Sequence, residues 1–287
     1  MASKYQFLII QPFELAKGDA MNDRYHSNEL PKEQRVRADF IPGVRELLAD
    51  VDWDFHGGPT PCYGNWAPEN REELAYLGAE RIKIVREACK SGKYNAIVLL
   101  GGAEPGFFEA REVSQEFKIP ITSCAHSQMH IATMIGHKFS VIDFPENHNR
   151  LYYDIVIRHG MSHRCASIRN IDVWHMRPGQ EGLIVDQERD KALRGEPSEA
   201  VERAAKAAVS AITEDGAEVI TFGCSDCFWL KPFLKKRLLE LGWDIPILDG
   251  YTAAIGLARF YVDMGLNVSS LMYPVDMPKV SRMKKVF

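Results

Sequence analysis

The chain lacks several features that would assign it quickly. No uninterrupted apolar stretch in its 287 residues approaches the roughly 20 needed to span a bilayer. The early apolar run at 6–10 is too short for a signal-peptide core, and no small-residue cleavage site follows it. No long Lys/Arg block is present and the formal net charge is −4, so nucleic acid is not an expected partner. There is no G-x-G-x-x-G, no P-loop, no H-E-x-x-H and no second C-x-x-C. Six cysteines (Cys62, Cys89, Cys124, Cys165, Cys224 and Cys227) are scattered through a long chain, unlike a small disulfide scaffold. These absences point to a cytoplasmic protein with reduced thiols and no organic cofactor.

A 46% hydrophobic and 26% charged composition is that of an ordinary globular chain, long enough for one large domain or two smaller ones. Short β-type runs at 6–10, 96–100, 119–122, 139–143, 165–169, 219–222 and 245–248 alternate with helical patterns at 40–48, 71–91, 107–117, 127–135, 147–159, 198–214, 230–241 and 252–264. That alternation predicts an α/β fold with parallel sheets covered by helices. The runs 96–102 and 218–224 are both buried-strand patterns ending in a glycine-containing turn, which suggests two similar α/β lobes whose strand ends face one cleft. The expected division is 1–121 with 250–287, and 122–249. Residues 16–37 are polar and without periodicity and read as a lid or an oligomer arm.

Cys224 is the first chemical candidate. It ends a strand before an expected helix start, where backbone N–H groups and the helix dipole should lower a thiol pKa. A cysteine taken alone is more often a small buried hydrophobe. Cys224 and Cys227 form a C-x-x-C, but zinc would have to be completed by distant residues such as His56, Cys62 or His126, so no metal is expected. Gly101, Gly102 and Ala103 follow another strand, and glycines there let backbone N–H groups approach a ligand oxygen. Cys124 and His126 follow a third.

From about residue 94 to 274 the chain resembles the aspartate/glutamate/hydantoin racemase superfamily, most nearly its hydantoin and allantoin racemase branch. The resemblance rests on Asn-Ala-Ile-Val-Leu-Leu-Gly-Gly-Ala-Glu-Pro-Gly at 95–106, Glu-Ala-Arg-Glu at 109–112 and Gly-His-Lys-Phe-Ser-Val-Ile at 136–142. Gly-Met-Ser-His-Arg-Cys-Ala-Ser-Ile-Arg at 160–169, Gly-Ala-Glu-Val-Ile-Thr-Phe-Gly-Cys at 216–224 and Ile-Leu-Asp-Gly at 247–250 complete it. It implies two pseudo-symmetric lobes with the site between them. It also implies two catalytic cysteines, one on each face of the substrate's acidic carbon.

Only the second of these is present, at Cys224. The first falls at Gly101 or, with a one-residue slip, at Gly102. The branch's Asn-Pro-Asn-Thr after the first strand is replaced by Gln-Pro-Phe-Glu, which brings Gln11 and Glu14 to the expected substrate site. Arylmalonate decarboxylase, in the same superfamily, likewise keeps only the second cysteine. The expectation is therefore a one-thiol lyase or hydrolase acting on a hydantoin-like ureide or related carboxylate, such as a thiohydantoin desulfhydrase or an arylmalonate-type decarboxylase. The alternatives are a racemase in which Glu104, His126 or Cys62 substitutes for the missing thiol, and a non-catalytic ureide sensor. Cys224, Glu104 and His126 are the catalytic candidates. Gln11, Glu14, Gly101, Gly102, Ala103, Cys124, Ser225 and Asp226 are expected at the substrate, a small molecule, in a homo-oligomer.

Overall fold

The computed structural model describes residues 3–16 and 30–274. The first half runs β1 (Tyr5–Ile10), α1 (Lys32–Arg35), α2 (Val44–Leu48), β2 (Val51–His56), α3 (Arg71–Lys90), β3 (Ala96–Leu99), α4 (Phe107–Gln115) and β4 (Ile121–Ser123). Then come α5 (Cys124–Ile135), β5 (Phe139–Asp143), α6 (Glu146–Arg158), β6 (Cys165–Asn170), β7 (Val173–Trp174), β8 (Leu183–Ile184), α7 (Val185–Leu193) and α8 (Glu199–Thr213). The chain closes with β9 (Val219–Phe222), α9 (Leu230–Glu240) and α10 (Gly250–Met264).

Two separate parallel sheets result, ordered β2-β1-β3-β4 and β6-β5-β9. β3 and β9 are buried at every position, as uninterrupted aliphatic strands covered on both faces should be. β7 and β8 pair with each other alone. α10 packs on β3 and β4 and against α5. It starts at Asp249, whose carboxylate accepts the Thr252 N–H at 2.8 Å, and stops at Gly265 in the left-handed conformation. Among the described residues no helix is long and apolar enough to cross a membrane.

Several expectations need correction. Residues 40–48 hold a helix only over α2, because Gly43 at φ +93° interrupts it. Residues 245–248 make one isolated bridge, Ile220 to Ile247, rather than a strand. α5 begins at Cys124, three residues early, because the Glu104 carboxylate accepts the His126 N–H in its first turn. Ser198 sits at the N-cap of α8 but does not cap it. Its hydroxyl donates to Glu188, whose carboxylate takes the Ala200 N–H at 3.1 Å. Of the suspected lid at 16–37, residues 17–29 lie outside the described residues. At the end of that stretch Arg35, Val36 and Arg37 are buried in the interior, so these three residues are not part of a lid.

Candidate active site

The carboxyl ends of β1, β3, β5 and β9 meet at a small cavity of about 50 Å³. Pro12, Phe13, Ala67, Pro68, Leu74 and Leu151 make an apolar wall. Gly101, Gly102 and Ala103 approach from the end of β3, and Gly223, Cys224, Ser225 and Asp226 from the end of β9. Asp143, from the end of β5, lines it as well, with His148 and His175.

The Cys224 sulfur lies 3.6 Å from His175 Nε2 and accepts the Asp226 N–H at 3.5 Å. His175 Nε2 in turn stands 2.9 Å from Asp226 Oδ2. The other Asp226 oxygen is paired with the fully buried guanidinium of Arg37, which also donates to the Ser225 carbonyl at 2.6 Å. Asp143 Oδ1 accepts the N–H groups of Cys224 at 3.0 Å and Phe144 at 2.8 Å, which fixes the turn carrying the thiol.

The electrostatics differ from the expected low-pKa thiol. Burial pushes the Cys224 thiol above its ordinary value, and the opposing pull of His175 does not cancel that. No extended helix follows to supply a dipole: Ser225–Cys227 is one 3-10 turn, and α9 starts only at Leu230. Burial alone would lower the His175 imidazole, but Cys224, Asp226 and Glu69 outweigh it and hold the ring well above the usual histidine range. Burial likewise works to raise Glu69, yet His175, Arg177 and His148 leave it below the ordinary carboxylate range.

Of the residues expected at the site, Cys224, Gly101, Gly102, Ala103, Ser225 and Asp226 line the cavity. The others do not. The Glu104 carboxylate turns into the protein, bonded to the Ser123 hydroxyl, the His126 N–H and His159 Nε2 at 2.7 Å. His126 is buried among Phe107, His130 and His159. Cys124 is fully buried with its sulfur 3.9 Å from the Leu99 carbonyl. Gln11 exchanges two 3.0 Å hydrogen bonds with Arg35, and Glu14 pairs with the same guanidinium at 3.0 Å. Buried polar side chains take the nearest partner that satisfies them, and here each partner lies away from the cavity.

Sequence reasoning missed Glu69, Asp143, His148 and His175, and missed Arg37 behind them. Two groups of three donor side chains converge here: Glu69, His148 and His175, and His175, Cys224 and Asp226. His56, Cys62, His126 and Cys227 belong to neither.

The sequence model of the Asp/Glu/Hydantoin racemase family matches residues 65–258, a span holding Gly101, Glu69, His148, His175, Cys224 and Asp226. The chain belongs to this family. A hydantoin racemase from a Pseudomonas species is 30% identical over 190 residues, 65% of this chain and 67% of that protein. Allantoin racemase from Klebsiella pneumoniae shares the fold with a TM-score of 0.66 at 20% identity, covering 99% of this chain and 97% of that one. A variant arylmalonate decarboxylase does so at 0.56 and 11%, covering 91% and 94%. In this member of the racemase family, the two loops that end β3 and β9 face one cavity and only the β9 loop brings a thiol to it.

Proposed function

We propose that this racemase-family enzyme moves a proton at the acidic carbon of a small hydantoin-like cyclic ureide, interconverting its enantiomers, with Cys224 as the thiol acid/base. The observation that carries this reading is the placement of the Cys224 sulfur at the cavity, between His175 Nε2 and the Asp226 N–H. Both neighbours can donate to a thiolate, so charge left on sulfur after proton donation is stabilised. Among the described residues the N–H groups of Gly102 and Ala103 have no protein partner, and they border the same cavity. Donors so placed suit an enolate oxygen. The hydantoin racemase relatives support a ureide substrate and favour racemisation over the lyase or hydrolase expected from the sequence. None of the relatives named above is a desulfhydrase.

A second reading has one observation in its favour. The wall formed by Pro12, Phe13, Gly101 and Ala103 carries no thiol, and Cys62 is exposed and does not line the cavity. An enzyme protonating one face only would be a lyase of the decarboxylase kind.

Circular dichroism of an enantiopure 5-substituted hydantoin, followed with chromatography for new products, separates the two. Racemisation predicts decay of ellipticity to zero with the substrate intact. One-face lyase or hydrolase chemistry predicts a product and a single retained hand. Binding with neither change would support the sensor alternative.

A further inference from the structure

The cavity has a second chemical feature, which shares His175 with the thiol. At and behind its wall, three buried polar atoms have no hydrogen-bond partner among the described residues: Glu69 Oε1, His148 Nε2 and His175 Nδ1. One donor atom from each of these residues lies within 4.8 Å of the others. Glu69 Oε1 and His175 Nδ1 are 3.7 Å apart, beyond hydrogen-bond range and a few tenths more than the roughly 3.3 Å separating two ligands on a tetrahedral zinc.

The opposite edges of the same side chains are all held. His175 presents Nε2 to Asp226 at 2.9 Å, and His148 presents Nδ1 to Asp143 at 3.4 Å. The second oxygen of Glu69 faces Arg177 at 3.4 Å. Each histidine thus has a carboxylate behind one nitrogen and a bare, buried nitrogen in front. Metal-binding histidines are oriented in this way: the outer carboxylate fixes the tautomer and raises the basicity of the ligating nitrogen. A buried carboxylate oxygen that faces an imidazole nitrogen without a hydrogen bond is costly unless charge pairing, a cation or a bridging water offsets it.

We propose that Glu69, His148 and His175 form a binding site for a divalent cation of the zinc class beside the Cys224 cavity. Two imidazoles and one carboxylate are a donor set of the open, three-ligand type. His148 and His175 both line the cavity, so a cation held by them would border the substrate space. A cation there suits a ligand with a carbonyl oxygen, which it polarises as a Lewis acid. This departs from the sequence expectation of no metal. His56, Cys62, His126 and Cys227 take no part. The site stands apart from the substrate reading, because occupancy is measured without turnover.

The test uses the full-length protein, its metal content measured by mass spectrometry and then removed with a chelator. Zn²⁺ is titrated back against a chromophoric competitor, and Co²⁺ by its absorption spectrum. The expected result is one equivalent per chain bound at micromolar or tighter affinity, with no thiolate-to-cobalt charge-transfer band. Asp226→Asn, which weakens the carboxylate behind His175 and also its pairing with the buried Arg37, should weaken binding roughly 10–100-fold, with circular dichroism checking that the variant is folded. Glu69→Gln, isosteric with the native residue, should weaken it further, and the circular dichroism spectrum confirms its fold. Three results overturn the proposal: no binding at micromolar Zn²⁺, which leaves an ordered water as the bridge; unchanged affinity in Glu69→Gln; or a charge-transfer band lost in Cys224→Ser, which moves the metal to the His175, Cys224 and Asp226 group.

Discussion

Gly102 lies against the Gly223–Cys224 peptide so closely that a Cβ on residue 102 would stand 1.7 Å from the Gly223 carbonyl oxygen. The two strand-end loops are in backbone contact across the cavity. This explains why position 102 carries no side chain, and hence no thiol. A cysteine at Gly102 has no room. One at Gly101 meets Pro12 at 2.8 Å with the backbone at φ +104°.

Gly102→Ala should therefore destabilise the fold by ~1–3 kcal/mol, or several degrees in melting temperature, and abolish turnover because the Cys224 loop is displaced. Gly101→Cys should also lower both stability and activity rather than create a second acid/base thiol. Thermal melts and hydantoin turnover check both. A stable Gly101→Cys enzyme that racemises faster than wild type would contradict the account.

Glu104 has a structural task. It holds a left-handed backbone conformation at φ +53° while its carboxylate joins Ser123, the His126 amide and His159. Glu104→Gln should cost ~1.5–3 kcal/mol of stability, the usual worth of hydrogen bonds to a buried charged group. Turnover per folded molecule should change less than about tenfold. A catalytic Glu104 would show the reverse: intact stability with turnover lost by orders of magnitude.

His126 gives a pH dependence. Burial, then His130, Arg111 and His159, hold its imidazole well below the usual histidine value, so it is neutral in the folded state. An unfolded histidine protonates near pH 6.5. Below that pH the unfolded chain binds the proton and the folded one does not. The neutral form's stability is thus fully present above pH ~6.5 and is lost as pH falls, by at most about 1.4 kcal/mol per pH unit for this group. Urea unfolding at pH 7.5 and 5.5 should show that loss, and His126→Phe should reduce it. An unchanged acid slope in the variant would remove His126 as the cause.

The legible parts of this protein were those written in contiguous residues. Cys224 stood out because a buried strand, a glycine and the thiol follow one another directly. Asp143 ends β5 in the same way and was recoverable by the same rule. β2 was recoverable as well: Val-Asp-Trp-Asp-Phe-His at 51–56 alternates apolar and polar, as an edge strand half open to solvent should. His175 and Glu69 were not recoverable. His175 follows the two-residue strand β7 and Glu69 an irregular loop, and only tertiary packing sets His175 against Cys224 and Glu69 against His175. Arg37 came from the polar stretch read as a lid, because its charge suggested solvent when the buried Asp226 carboxylate was its partner.

The central claim is that Cys224 carries a proton to and from a ring carbon. Its most direct test is deuterium wash-in at the acidic carbon of a 5-substituted hydantoin in D2O, followed by NMR with wild-type enzyme and with Cys224→Ala. Wild type should exchange that hydrogen at a typical enzymatic rate of roughly 1–1000 per second, and Cys224→Ala, still folded, should be slower by at least about a hundredfold. A folded Cys224→Ala enzyme that exchanges within about tenfold of wild type would contradict the account.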